Sequence, residues 1–190
     1  MKLWRVVLWI TCTMMFSGLT LAQGPKASTD LKQRIKTFKN SGRFSVRYDK
    51  FKDITDVSVG PFAISPVKGS VLGMNAEFSF AGQAVQEDLS VVRLVFSSYS
   101  AFRGAGWTFV DHRSLYGIID GDRTELGEGA WKSHVSNLSF EELVFTLPIA
   151  TIRKIAGAKT VELKVGLVEL KLKEEHLIAF KDLLSLTKRE

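Results

Sequence analysis

Apolar residues recur at every second position along much of this chain, and that period most constrains its fold. Phe44, Val46 and Tyr48 alternate with polar residues, and residues 161–165 repeat the pattern. A period of two places successive side chains on opposite faces of a strand. About ten such segments, with turn residues roughly every 8–12 positions, predict an all-β fold with minor α. We expect a single-domain antiparallel β-sandwich.

Two segments depart from this period and predict helices. After Pro148, the isoleucines 149, 152 and 155 form one apolar side, which indicates one short internal helix. From Glu174 to the end of the chain, the spacing predicts a C-terminal amphipathic helix with acidic residues in its first turn. The apolar side of this second helix consists of Leu177, Phe180, Leu183 and Leu184.

The first 22 residues have the layout of a secretory signal peptide. Lys2 and Arg5 precede the uncharged residues 6–21, and residues 20–22 form a small-residue cleavage site. This uncharged run is shorter than the roughly 20 residues that a membrane-spanning helix needs. An uncleaved N-terminal anchor is the alternative. We expect an exported protein, periplasmic or extracellular, with no transmembrane span after cleavage.

Three regions follow from this interpretation: a signal peptide (1–22), a basic N-terminal segment (23–42) and a β-sandwich domain with a C-terminal helix (43–190). The chain has one cysteine, Cys12, which lies in the signal peptide. The mature chain therefore has no thiol for a disulfide, a metal ligand or a nucleophile. A domain of this length can bury enough surface to fold on its own core.

Basic charge is concentrated at the mature N-terminus. The formal net charge of the whole chain is +6. Leu31, Ile35 and Phe38 recur at helical spacing, and residues 40–42 would end such a helix. An anionic lipid, glycan or protein surface is one partner for this segment, and a solvated linker is the alternative; nucleic acid is not expected. The candidate contacts are Lys32, Arg34, Lys36 and Lys39.

Motifs for catalysis are weak in this sequence. There is no Gly-x-Ser-x-Gly elbow, and His112, His134 and His176 are far apart and belong to no metal-ligand motif. The three histidines could still converge in space, because a triad is defined by geometry. Glu141 and Glu142 are adjacent, so a strand would turn them to opposite faces. The sequence favours a non-enzymatic protein without a cofactor.

An acidic segment offers a second possibility. Asp111, His112, Asp120, Asp122 and Glu125 could form an oxygen-rich calcium site. The simpler interpretation is a two-residue hairpin turn, because Asp-Gly suits the left-handed backbone of a type I′ turn. We predict the turn, and no metal site.

An aromatic segment is the candidate ligand site. Residues 97–107 are rich in glycine and serine, and aromatic faces with a guanidinium can stack on sugars or hold an acidic group. The alternative is that these aromatic side chains fix a long loop to the core. The candidate residues are Tyr99, Phe102, Arg103 and Trp107, with Trp131 nearby.

Five stretches carry a resemblance to other proteins: residues 48–55, 119–123, 138–145, 155–162 and 166–172. On these stretches, residues 43–187 resemble a group of secreted bacterial domains without assigned biochemistry. The resemblance implies an exported all-β domain and provides no catalytic residues. We therefore expect a non-enzymatic cell-envelope or extracellular binding protein, whose partner is an envelope protein or a glycan. The alternative is a carbohydrate-binding or glycan-active protein that uses the loop from Tyr99 to Trp107.

Overall fold

The computed structural model describes residues 27–67, 70–85, 89–100, 109–135 and 139–187. Within these residues the chain forms three α-helices and ten strands, which confirms the all-β fold with minor α. The helices are α1 (Ala27–Lys36), α2 (Ile149–Gly157) and α3 (Glu174–Ser185). The strands are β1 (Phe44–Asp49), β2 (Ile54–Val67), β3 (Ser70–Ala81), β4 (Val91–Ser100), β5 (Ser114–Ile119), β6 (Asp122–Glu128), β7 (Ala130–Val135), β8 (Ser139–Pro148), β9 (Val161–Val165) and β10 (Val168–Lys171).

The strands form two sheets in which the neighbours are antiparallel. The six-stranded sheet has the order β1-β2-β3-β4-β8-β7, and the four-stranded sheet has the order β10-β9-β5-β6. The chain enters the four-stranded sheet after β4, returns to the six-stranded sheet after β6, and leaves it again through α2. Each sheet is therefore completed only by strands that are distant in sequence.

The predicted alternation sets an inner and an outer face for each sheet. On β9, Val161, Leu163 and Val165 are buried, whereas Glu162 and Lys164 are exposed. Because successive side chains point to opposite faces, one face of this strand joins the core and the other meets solvent. We call these the inner and outer faces.

One core unites both sheets with the helices. The buried residues of α1, α2 and α3 belong to the same cluster as the inner faces of the two sheets. Helix α3 contacts β2 and β3, α2 contacts β4 and β8, and these two helices contact each other. The largest fully buried side chains include Phe62, Phe78, Phe96, Phe109, Phe145 and Phe180.

The basic N-terminal segment contains a helix that packs against the rest of the fold. Leu31 and Ile35 of α1 are buried in the core, and the Phe38 ring lies 5.3 Å from that of Phe44. The helix ends at Lys36, earlier than the predicted stop, and residues 41–43 form a 3₁₀ turn. The chain therefore turns toward β1 as soon as its apolar side is buried.

Two prolines mark where β2 becomes an edge strand. Because Pro61 and Pro66 flank residues 62–64, the sequence predicts an edge or a loop there. In the structure β2 runs through both prolines, and β1 pairs with it only as far as Val59. Beyond Val59, β2 pairs only with β3 among the described strands. The edge interpretation is confirmed.

Residues 107–110 combine aromatic and β-branched side chains, which predicts a strand, and this prediction is wrong for the two residues that the structure describes. Phe109 and Val110 form a bend, and residues 107 and 108 lie outside the described residues. The Phe109 backbone N–H donates to the Glu141 carboxylate at 3.1 Å, and its side chain is fully buried. A β-branched and aromatic run predicted a strand here, but this backbone donor bonds to a side chain instead of a neighbouring strand.

Candidate functional site

Strand β5 has apolar side chains on both faces. Leu115 and Ile119 are buried on the inner face, whereas Tyr116 and Ile118 on the outer face are 44% and 37% exposed. Strands that are apolar on both faces are typical of sheets covered on both sides. The outer face of β5 is instead open to solvent in the described part of the chain. We call the outer face of the four-stranded sheet the open face.

Two rows of side chains cross the open face, with charged residues on both sides of Tyr116 and Ile118. The tyrosine row consists, from β6 to β10, of Glu125, Tyr116, Lys164 and Glu169. The isoleucine row consists, in the same order, of Arg123, Ile118, Glu162 and Lys171. Within the tyrosine row, Lys164 Nζ lies 3.2 Å from Glu169 Oε1, so this ion pair runs along the row.

A groove of about 380 Å³ lies on this face. Tyr116, Gly117 and Ile118 form its floor, and charged side chains of β6, β9 and β10 form its walls. Gly117 lies between the two exposed residues, is itself buried, and lies beside the inner-face side chains of Leu163 and Ile119. An apolar floor with walls of both signs can bury an apolar group and orient a charged one. The arrangement suits binding.

No family model, curated protein or solved structure matches this chain. Function is therefore inferred from the geometry of the molecule itself.

The open face was not predicted as a site, although a signal for it exists in the sequence. Residues 115–119 are apolar or glycine at every position, and such a run on a strand places apolar groups on both faces.

The structure separates the two described members of the predicted aromatic site. Tyr99 is opposite Phe140, which is opposite His134, and these three lie on the outer face of the six-stranded sheet. Trp131 is opposite Leu143, on the inner face. Tyr99 and Trp131 therefore project from opposite faces. Phe102, Arg103 and Trp107 lie outside the described residues.

Tyr99 belongs instead to an aromatic row on the outer face of the six-stranded sheet. Its ring centroid lies 4.7 Å from that of Phe140, and its side chain is 48% exposed. Val71 of β3 continues the row on one side and His134 of β7 on the other. The row thus presents a tilted pair of rings, with an interplanar angle of 38°, at the end of the sheet that leads into residues 101–108.

Trp131 takes part in a buried polar cluster that the sequence analysis missed. The Glu141 carboxylate is buried, and its Oε2 accepts hydrogen bonds from Trp131 Nε1 at 3.0 Å and from the Phe109 backbone N–H. The Arg113 guanidinium lies 5.4 Å from the Trp131 ring. Glu141 is buried and Glu142 is half-buried, as expected if the two side chains lie on opposite faces of β8. The period of two places Glu141 on the face of Leu143, a signal that could have revealed this buried carboxylate.

The Asp120-Gly121 hairpin turn is confirmed. Both residues have a positive φ, 52° and 93°, as a type I′ turn requires. Asp120 Oδ1 accepts the backbone N–H groups of Lys159 and Thr160, each at 2.8 Å. The Thr160 hydrogen bond is the main cause that lowers the pKa of Asp120 below 3.8. Its carboxylate thus joins this turn to the segment between α2 and β9.

The other residues of the calcium hypothesis have separate surroundings. Asp122 Oδ2 lies 3.7 Å from Lys154 Nζ, and Glu125 belongs to the tyrosine row. Asp111 and His112, which precede β5, line a polar depression together with Glu128 at the end of β6. Among the described residues, no group of three His, Cys, Asp or Glu side chains could hold a metal ion.

The three histidines lie in three different surroundings. His112 is exposed before β5, and His134 is exposed on β7. His176 is buried on α3, with its ring 4.9 Å from that of Phe62. Its Nδ1 accepts the Lys173 backbone N–H at 3.1 Å, and burial lowers the pKa of the imidazole below 6.5. This histidine closes the first turn of a helix.

The basic helix presents its charges to solvent and its apolar side to the core. Lys32, Lys36 and Lys39 are exposed, whereas Arg34 is half-buried and donates to the Ser185 carbonyl at 2.9 Å. Since the apolar side of α1 is already buried, contact with an anionic surface would depend on charge. No helix in the described ranges is long and apolar enough to cross a membrane. The predicted signal peptide, residues 1–22, lies outside these ranges.

Proposed function

We propose that this chain is an exported, non-enzymatic binding protein of the cell envelope or extracellular space, and that it binds through the open face. One observation carries the proposal: Tyr116 and Ile118 are exposed at the floor of a groove with charged walls. The signal-peptide layout of residues 1–22 supports export. The absence of recognisable catalytic motifs in the sequence favours binding over chemistry.

The chemistry of the open face favours a partner with an apolar centre. Burial of exposed apolar surface is the dominant favourable contribution to most protein–protein association. The floor offers one aromatic and one aliphatic side chain, and both signs of charge lie within a strand spacing of them. Charged walls add specificity more than affinity. A protein surface with apolar side chains surrounded by charges fits this pattern.

The test uses the mature chain, residues 23–190, immobilised and exposed to a detergent extract of its host's envelope. We expect the wild-type chain to retain a defined component, and Ile118→Lys to lose it, because a charge would then occupy the apolar floor. Val91→Ser is the matched control, since Val91 is also exposed, at 46%, but lies on the other sheet. Equal recovery by all three chains, or recovery by none, would contradict the proposal.

A glycan-binding function is the second candidate, and the aromatic row favours it. Tyr99 offers an exposed aromatic surface beside the tilted ring of Phe140, and aromatic faces bind sugar rings. A polysaccharide array would test this with Tyr99→Ala and Tyr116→Ala side by side. Binding that is lost only in Tyr99→Ala supports the aromatic row, and an array without signal for the wild-type chain excludes this candidate.

A further inference from the structure

The charges of the open face alternate in a regular pattern. On each strand beside β5, the tyrosine row and the isoleucine row carry opposite signs. The pattern holds on β6, β9 and β10 and leaves the two rows together neutral, with three acidic and three basic side chains. The opposed pairs are Glu125 with Arg123, Lys164 with Glu162, and Glu169 with Lys171.

We infer that the partner of the open face is a second copy of this chain. This inference rests on the proposed function, because the proposed function and the dimer both require the open face to bind another molecule. A two-fold axis that lies parallel to the sheet and across the strands exchanges the two rows. Each charge then faces the opposite charge of the other copy, and Tyr116 faces Ile118. The face is therefore complementary to itself, as a two-fold interface requires.

A second two-fold axis, parallel to strand β5, is also conceivable. Strand β10, at the edge of the sheet, distinguishes the two axes. An axis along β5 would also place Glu125 opposite Lys164 and Arg123 opposite Glu162. Because β6 is an edge strand and β10 the other edge, Glu169 and Lys171 would then face no strand of the second copy. The axis across the strands pairs all six charges that the two rows of each copy carry. It also brings the sheets together face to face, at the usual separation of about 10 Å.

The size of the face determines how strong this dimer is. Strands β5 and β6 span about 20 Å, and four strands span about 15–19 Å, which gives a face on the order of 400 Å². Two copies would bury on the order of 800 Å² in total, below the roughly 1,200–2,000 Å² of stable complexes. We therefore expect a weak and reversible dimer that forms only at high protein concentration.

Sedimentation velocity of residues 23–190, from about 10 µM to 1 mM, tests this inference. We expect the wild-type chain to form dimers whose affinity falls as salt rises, because salt screens the exposed pairs. Glu125→Arg or Arg123→Glu alone replaces two attractive pairs with repulsive ones, since symmetry repeats each change. Either variant should weaken association by at least about tenfold. Arg153→Glu, an exposed position on α2, is the control for net charge.

The double exchange Glu125→Arg with Arg123→Glu is the sharpest measurement. This exchange keeps opposite signs on every strand. If the axis runs across the strands, each exchanged charge still faces an opposite charge of the other copy, and association should recover. Under the axis along β5 the same exchange would place like charges together. A wild-type chain that stays monomeric at 1 mM, single reversals without effect, or no recovery in the exchange would overturn the inference. If the envelope component is still retained and lost in Ile118→Lys, the proposed function stands with a different partner.

Discussion

His176 is a buried imidazole that completes the hydrogen bonding of a helix end. Its Nδ1 can accept the Lys173 N–H only when that nitrogen carries no proton. The charged groups around it act in both directions. Glu175, with Oε1 3.7 Å from Nε2, raises the pKa of His176, whereas Lys173 and Arg43 lower it. Burial is the largest cause, so the neutral form is favoured in the folded protein.

Folding stability should therefore fall on acidification through this residue. The unfolded chain binds the His176 proton below pH 6.5, while the folded chain resists it until its lowered pKa is reached. The free energy of unfolding is unaffected by this group above pH 6.5 and decreases as the pH falls below it. Urea unfolding at pH 7.5 and 5.5 should show a lower midpoint for the wild-type chain at the acidic pH.

His176→Asn provides the comparison, because its amide oxygen can accept the same N–H and does not titrate. We expect a smaller loss between pH 7.5 and 5.5 in this variant than in the wild-type chain. Burial raises the pKa of Asp182, so this carboxyl group makes the free energy of unfolding increase on acidification. Asp182 is present in both chains and does not affect the comparison between them. Equal losses in the two chains would show that His176 does not cause the effect.

At the level of elements, hydrogen bonds from one turn connect strands that are distant in sequence. The Asp120-Gly121 turn joins β5 to β6, and the Asp120 carboxylate holds the backbone before β9. Strand β9 pairs with β5 at the same end, where Ile119 lies opposite Val161. The turn therefore fixes both neighbours of β5, the strand that carries the floor of the open face.

Asp120→Ala should lower the melting temperature more than Asp120→Asn does. Alanine removes the acceptor and also strains the left-handed backbone at φ 52°, which asparagine tolerates. Asparagine keeps a carbonyl oxygen for the two N–H groups but loses the charge. We expect a fall of several degrees for alanine, measured by circular dichroism. Asp122→Ala, whose side chain is 78% exposed, is the control and should change little.

Local patterns explain which elements the sequence could predict. The alternation at residues 161–165 and the Asp-Gly turn depend on neighbours in the chain, and both are present. The faces of Tyr99 and Trp131 depend on strand register, which links β4 to β7 through β8. Spacing in the sequence does not contain that register. The apolar run at residues 115–119 predicts apolar side chains on both faces of β5, but whether another element covers the outer face depends on the rest of the fold.

On the scale of the whole molecule, the basic helix shares the core of the sheets. Leu31 of α1 is 4% exposed within the cluster that contains both inner faces. Arg34 also bonds to the end of α3, so the first and last helices are connected. A segment that looks like a charged leader in the sequence is therefore expected to unfold together with the domain.

Leu31→Ala should destabilise the entire domain. Truncation of a buried leucine costs about 2–5 kcal/mol, because apolar contacts are lost and a cavity remains. We expect the urea midpoint to fall in a single transition, followed by both Trp fluorescence and circular dichroism. Lys32→Ala is the control, since a change at this exposed neighbour should stay within about 0.5 kcal/mol. An unchanged midpoint in Leu31→Ala would mean that α1 contributes nothing to domain stability.

The prolines of β2 also affect how copies of this chain can meet. A sheet edge with free N–H groups is a template on which another strand can add, and this leads to fibrous aggregation. Pro61 and Pro66 lie on the part of β2 that extends past β1, and proline has no N–H to donate. This margin of the six-stranded sheet is therefore a poor template for added strands. Strand addition at this margin should consequently be less favourable than at an edge on which every residue carries an N–H group.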